Sequence, residues 1–293
     1  MRPGRFDRQI TLERPQRKAR EEILKIHTKD KPLADDVDLN VISRRTVGFS
    51  GADLENLANE AALLAARKGE HKLTAEDFDQ SIDKIILGVE REDLVSEGEK
   101  KIIAYHEAGH ALMAKLLPGS DPLKKITIIP RGRALGATEQ LPTEDRLNLS
   151  RKRLLNQIGI LIGGRVAEKI ILHDLTSGAS DDLKKATLIA RRMVCQLGMS
   201  TKIGPVVIPQ GEEHPFLGRE ITEPKNYSEH TAQIVDDEIR AIIEEMEQKA
   251  EDILSKNKKK LEALAEALLV HETLTNKEVD EILELHDSDS KTS

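Results

Sequence analysis

The stretch 104-AYHEAGHALM-113 places two histidines four residues apart, His106 and His110, with Glu107 directly after the first. On a helix, residues four apart share one face, about one turn apart. Both imidazoles can then aim a ring nitrogen at a single ion. Glu107 lies beside that face, where it can take a proton from a water held there. H-E-x-x-H therefore has a mechanical reason for each fixed letter. Zn²⁺ in such a place lowers the pKa of its water and polarises a carbonyl as a Lewis acid. The surrounding residues Ile102, Ile103, Ala104, Ala108, Ala111, Leu112 and Leu116 make the helix apolar. Two histidines and a glutamate in an apolar helix require partners, which favours a metal over histidines on a solvated face.

A catalytic zinc takes three protein ligands and keeps one position open, so a third ligand must come from elsewhere. The remaining histidines, His27, His71, His173, His214, His230, His271 and His286, form no tight cluster in the sequence. Carboxylates are better candidates. Glu168 sits in the apolar 163-GGRVAEKII-171, and Asp181 and Asp182 open a helix after 176-TSGAS-180. Each also has an ordinary role open to it. Acids in a first helical turn favour the macrodipole, and Glu168 can pair with Arg165 or Lys169. The residues alone leave the third ligand open among these.

The chain has 293 residues, enough for two domains that each bury a core. Hydrophobic residues are 38% and charged residues 33%, a composition that reads as soluble and helix-rich. Aromatics are only 2%, without tryptophan, so the cores must be built from Leu, Ile, Val and Ala. The net charge of −7 is spread along the chain, and no basic stretch marks a nucleic-acid partner. The single cysteine, Cys195, excludes an internal disulfide and sits among apolar helix residues as core packing. No run approaches the length of a membrane-spanning helix, and no signal peptide is present.

The fold class expected is mainly α with a small β-element. A strand over 8-RQITLE-13 is followed by helical spacing at Ala19, Ile23, Leu24 and Ile26, and then by a short helix in 37-VDLNVISRR-45. Ser50 caps a helix whose stripe is Leu54, Leu57, Ala61 and Leu64 and which Gly69 closes. Thr74 caps another that ends at Gly88. The polar run 89–98 reads as a linker. A long helix then runs to Pro118 and Gly119, followed by β-character at Ile126, Ile128 and Ile129 and again from Ala134 to Leu141. An apolar helix follows whose Gly163–Gly164 pair allows close approach, then a helix capped by Ser180 and ended near Gly198. Charged amphipathic helices complete the chain at about 227–256, 258–270 and 275–286, before a tail read as disordered. The stretch 210-QGEEHPFLGRE-220, around His214 and Phe216, reads as a mobile surface loop. The opening residues read as a cut through a larger fold.

Taken together, 2-RPGRFDRQI-10, 48-GFSGADLENLANEAALLAAR-67, 104-AYHEAGHAL-112, 126-ITIIPRGRALG-136, 163-GGRVAEKI-170 and 176-TSGASDDLKKAT-187 resemble, in this order, the FtsH family of membrane-anchored, ATP-dependent zinc metalloproteases. The C-terminal helices match only in character. The resemblance implies a homo-hexamer that unfolds membrane and soluble proteins with an AAA+ ring and cleaves them in a protease ring. It makes residues 1–16 a remnant of the AAA+ large subdomain, 17–88 its helical lid, 89–98 a linker, 99–287 the zinc protease domain and 288–293 a tail. It implies His106, His110 and Asp182 as zinc ligands and Glu107 as the base. Asp182 matches the last acid of the family's G-A-S-x-D, and Asp181 falls on its variable position. Glu168 then becomes an alternative ligand or a residue behind the ligands. Arg2 and Arg5 match arginine fingers that reach a neighbouring subunit's nucleotide, and read here as frayed chain-end residues. Gly51 and Ala52 match the sensor-2 stretch near nucleotide.

The departures from the family are equally specific. No G-x-x-x-x-G-K-[ST] occurs in the chain, and the Walker B acids, pore loop and membrane helices are missing. ATP and Mg²⁺ therefore belong to a full-length protein, anchored in a membrane by its missing N-terminal part, with this part on the cytoplasmic, matrix or stromal side and soluble by itself. The substrates implied are unfolded or membrane proteins. The strand Ala134, Leu135, Gly136, Ala137, Thr138, Glu139 and Gln140 is the expected cradle, pairing with extended peptide backbone. A competing reading is a hexamer-forming scaffold whose protease site is metal-free or inactive in isolation.

Overall fold

The computed structural model describes residues 14–90, 96–132, 135–141, 148–209 and 227–290, with the backbone alone for Leu87 and 285–290. The opening strand with Arg2 and Arg5, Ala134, the loop 210–220 and the last residues of the tail lie outside the described residues. Two compact units are divided between residues 91 and 92, and residues 131–132 and 141 return to the first.

The first unit is a four-helix cluster: α1 (Arg17–Thr28), α2 (Leu39–Arg45), α3 (Gly51–Lys68) and α4 (Ala75–Leu87). Ser50 and Asp53, and Thr74 and Asp77, form reciprocal capping boxes that satisfy the orphan amides opening α3 and α4. Gly69 ends α3 at φ 75°, a conformation that costs glycine no Cβ clash. Leu24, Ile42, Leu54, Leu57, Ala61, Phe78 and Ile82 form the core, whereas Ile26, expected on the α1 stripe, faces solvent.

The second unit carries the site. Its first helix is α5 (Glu97–Leu116), capped by Ser96 with Glu99. The strands β1 (Leu123–Thr127) and β2 (Ala137–Gln140) follow, then α6 (Arg151–Ile171), a 3₁₀ turn Ser177–Ala179, and α7 (Ser180–Cys195). The chain finishes with α8 (Glu229–Lys256), α9 (Lys258–His271), β3 (Thr273–Thr275) and α10 (Asn276–Ser290). α5 packs on α6 and α9, and α6 packs on α7 and α8. Ala104, Ala108, Ala111, Leu112, Ile158, Ile162 and Val166 fill these contacts, and Cys195 lies in the same core. The sheet order is β2-β1-β3, antiparallel throughout, with Ile126 opposite Thr138 on one side and Leu274 on the other.

Small residues set the helix crossing that the site depends on. A Cβ on Gly109 would stand 2.5 Å from the Gly163 carbonyl oxygen, and one on Gly163 would stand 2.9 Å from the Gly109 oxygen. Real Cβ atoms do not approach so closely, so α5 and α6 touch backbone to backbone here.

Three expectations need correction. The strand expected from Ala134 begins at Ala137: Leu135 lies in a bend and Gly136 is unpaired, pressed against α5 where any Cβ would clash. Ser180 does not cap α7, because the 3₁₀ turn brings the chain in already coiled. Ala179 stands at the cap position, Ser180 is helical, and the Thr176 side chain caps the 3₁₀ turn instead. The tail read as disordered is helical as far as Ser290, since neither Gly nor Pro interrupts the sequence after Leu283.

Candidate metal centre

α5 presents His106, Glu107 and His110 into the interior, each less than one-tenth exposed. The two imidazoles stand nearly perpendicular, at 84° with centroids 4.6 Å apart. Each ring has its Nδ1 proton committed. His106 Nδ1–H donates to Glu168 Oε1 at 2.6 Å, and His110 Nδ1–H donates to the Ile160 carbonyl at 2.7 Å. A neutral imidazole carries one N–H and one lone pair. These bonds therefore fix the tautomers and turn both Nε2 lone pairs the same way, 3.0 Å apart.

α7 closes the site. Asp182 Oδ2 lies 3.3 Å from His106 Nε2 and 3.4 Å from His110 Nε2. The three candidate ligand atoms all fall within 4.8 Å of one another. The 3₁₀ turn before α7 decides which acid faces inward. Asp181 is exposed and pairs with Lys184 at 2.9 Å, while Asp182 is mostly covered.

The residues fit a zinc ion on two counts. The donor set is two imidazole nitrogens and one carboxylate, the kind that catalytic zinc takes. The space is also kept clear: a Cβ on Gly164 would lie 2.7 Å from His106 Nε2 and from His110 Nε2. Any side chain there would push into the ring nitrogens. The glycine pair thus has two jobs, with Gly163 meeting α5 and Gly164 clearing the site.

The charge pattern favours a cation. Burial pushes His106 down, but its hydrogen bonds to Asp182 and Glu168 outweigh that and hold its pKa up at about 10, so that without a metal a proton takes the place at Nε2 that a cation would fill. Burial pushes both carboxyls up, yet His106 and His110 hold Asp182 below the usual range, and His106 with the Thr176 amide does the same for Glu168. Glu168 is almost wholly buried, and its second oxygen accepts from the Thr176 amide at 3.0 Å. It stands behind His106 on the Nδ1 side and orients that ring. The pairing with Arg165 or Lys169 is not made; those side chains meet Glu247 and Glu251 on α8.

β2 lies beside Glu107. Thr138 Oγ donates to Glu107 Oε2 at 2.8 Å, with the Glu107 carbonyl 3.2 Å away. A Cβ on Gly136 would meet Glu107 Oε1 at 2.8 Å. Both residues were expected in a peptide cradle, and neither was expected to touch Glu107; strand and helix patterns carry no signal for this contact. Gly51 and Ala52 open α3 in the first unit, and Glu139 reaches Lys124 at 3.4 Å.

A buried helix bearing H-E-x-x-H, with a carboxylate from a second helix beside both histidines, defines a metal-dependent hydrolase site. The chain belongs to peptidase family M41, whose model matches residues 93–282. An AAA+ lid domain model matches residues 36–80. Three similar proteins carry the name ATP-dependent zinc metalloprotease FtsH. The one from Nitrosococcus oceani is 56% identical over 96% of this chain and 44% of its own length. The one from Syntrophotalea carbinolica is 52% identical over 97% and 44%. That from Thermotoga maritima is 50% identical over 97% and 47%. The chain thus spans a little under half the length of these curated relatives.

Proposed function

We propose that this chain is the zinc endopeptidase portion, with an AAA+ lid, of a longer ATP-dependent protease. The observation that carries this is the convergence of His106 Nε2, His110 Nε2 and Asp182 Oδ2 beside Glu107. His106, His110 and Asp182 would hold the metal. A zinc ion, when bound, supplies an acidified water and a Lewis acid for the scissile carbonyl. Glu107 takes the proton from the attacking water and delivers it to the leaving nitrogen. Glu168 holds His106 in the tautomer that leaves Nε2 unprotonated, and burial in the apolar core excludes competing water.

The substrate cradle is the edge of the sheet. β2 is one of the two edge strands in the described order and stands beside Glu107. An extended peptide added there pairs through its backbone, which tolerates many sequences and suits degradation of unfolded or membrane proteins. Proline at Gly136 or Thr138 would also disturb Glu107, so the substrate is the better place to test this. A peptide N-methylated near its scissile bond should lose much of its kcat/KM. Unchanged cleavage would remove β2 from the cradle.

In the longer protein, Gly51 and Ala52 lie near nucleotide, Arg2 and Arg5 reach a neighbour's nucleotide, and six copies form a ring anchored to a membrane by an N-terminal segment. ATP with Mg²⁺ acts only in that protein, on the cytoplasmic, matrix or stromal side. No helix among the described residues is long and apolar enough to cross a membrane. The scaffold reading gains no observation of its own, because the donor set is complete. The deciding experiment is Glu107→Gln, which should keep zinc and lose peptide hydrolysis by about 10²–10⁴-fold. Undiminished cleavage would overturn the assignment.

A further inference from the structure

We infer that Thr138 is a positioning residue for the base, so that the strand offered to substrate also sets where the Glu107 carboxylate points. This rests on the peptidase reading above. Glu107 is 6% exposed, and its carboxylate has few ways to be held in so apolar a setting. Its neighbours Ala104, Ala108 and Ala111 on α5 have no side-chain donor, and the Nδ1 hydrogens of His106 and His110 go to Glu168 and the Ile160 carbonyl. The donor comes from a different element: Thr138 Oγ, at 2.8 Å from Oε2.

The geometry divides the labour between the two carboxylate oxygens. Oε2 accepts the hydroxyl of Thr138, while Oε1 lies against the bare Cα of Gly136. A methyl at Gly136 would stand 2.8 Å from Oε1 and 2.8 Å from Cγ, so the glycine leaves the carboxylate room and the threonine fixes its rotation. A base works only within hydrogen-bond reach of its proton, and small misplacements cost large factors in rate.

Thr138 is itself well fixed. It sits opposite Ile126 of β1, whose side chain is wholly buried and whose other flank pairs with Leu274 of β3. The hydroxyl is therefore held by the sheet, and the carboxylate by the hydroxyl. A peptide that adds to the outer edge of β2 bears on the same strand. Docking of substrate and placement of the base are then one mechanical event.

Thr138→Val keeps the branched shape and removes the donor, and Thr138→Ser restores it. Valine should lower kcat for a reporter peptide by about 10–100-fold, leaving KM within about twofold. Zinc content and the visible spectrum of the Co²⁺-loaded protein should match wild type, and serine should return kcat to within about threefold. A crystal structure of the valine variant should show the Glu107 carboxylate rotated from its wild-type position. Should valine disturb the strand, Thr138→Ala makes the same comparison. Unchanged kcat in the valine or alanine variant overturns the inference, as does a serine variant as slow as valine or an unmoved Glu107. A wild-type chain that binds zinc poorly or cleaves nothing would instead bring down the peptidase reading beneath it.

Discussion

His106 Nε2 and His110 Nε2 face each other at 3.0 Å, while each ring's Nδ1 proton is already given to another acceptor. Two nitrogen lone pairs pointed at one place repel each other unless a cation, a metal ion or in its absence a proton, stands between them. Asp182 Oδ2 adds a third source of negative charge at 3.3–3.4 Å. The protein has therefore built an arrangement that a metal ion relieves.

Glu168→Gln should weaken zinc binding by about 10–100-fold, the usual effect of disturbing the partner behind a ligating histidine. The ring of His106 would lose a charged acceptor at 2.6 Å and with it part of its basicity. Competition against a chelator of known affinity measures this directly. Equal affinity in both proteins would mean that Glu168 serves only the fold.

Gly164→Ala and Gly109→Ala should fail differently. The methyl at Gly164 meets ring atoms of both histidines, so zinc content should fall while the helices stay formed. At Gly109 the methyl meets the carbonyl of Gly163 across the helix crossing, so stability should fall by about 1–3 kcal/mol. Elemental analysis and thermal melts distinguish the two. Full zinc at Gly164→Ala would contradict the cleared-space account.

Asp77→Ala should lower the stability of the first unit by about 1–2 kcal/mol, since Thr74 and Lys68 both lose an acceptor. Burial raises the Asp77 carboxyl, but Lys68 and Thr74 hold it below its ordinary value of 3.8. A carboxyl with a depressed folded pKa stabilises fully above its unfolded value and loses that contribution as the pH falls through the folded one. The wild-type advantage should thus be whole at pH 7 and shrink on acidification below about pH 4. Hydrogen exchange of α3 and α4 amides at both pH values checks it. An advantage that grows in acid would contradict the sign.

The sequence made some of this plain and left the rest hidden, for physical reasons. Helices with a cap residue, a periodic stripe and a glycine stop were legible, as α3 with Ser50, Leu54 and Gly69 shows. H-E-x-x-H was legible because its geometry is internal to one helix. The choice of Asp182 over Asp181 was not, since it depends on a 3₁₀ turn that rotates the start of α7. Resemblance to the family supplied that choice. Glu168 was read as an alternative ligand or a residue behind the ligands, and its carboxylate lies at Nδ1 of His106, a contact the sequence could not reveal. Thr138 was legible only as part of an expected cradle; its contact with Glu107 was not, because the two lie 31 residues apart on different elements.

The most direct measurement is zinc content per chain, by elemental analysis after exhaustive dialysis, in wild type and in Asp182→Ala. The account predicts about one zinc per chain in wild type and much less in the variant. Equal zinc in both, or none in wild type after added metal, would contradict a site built from His106, His110 and Asp182.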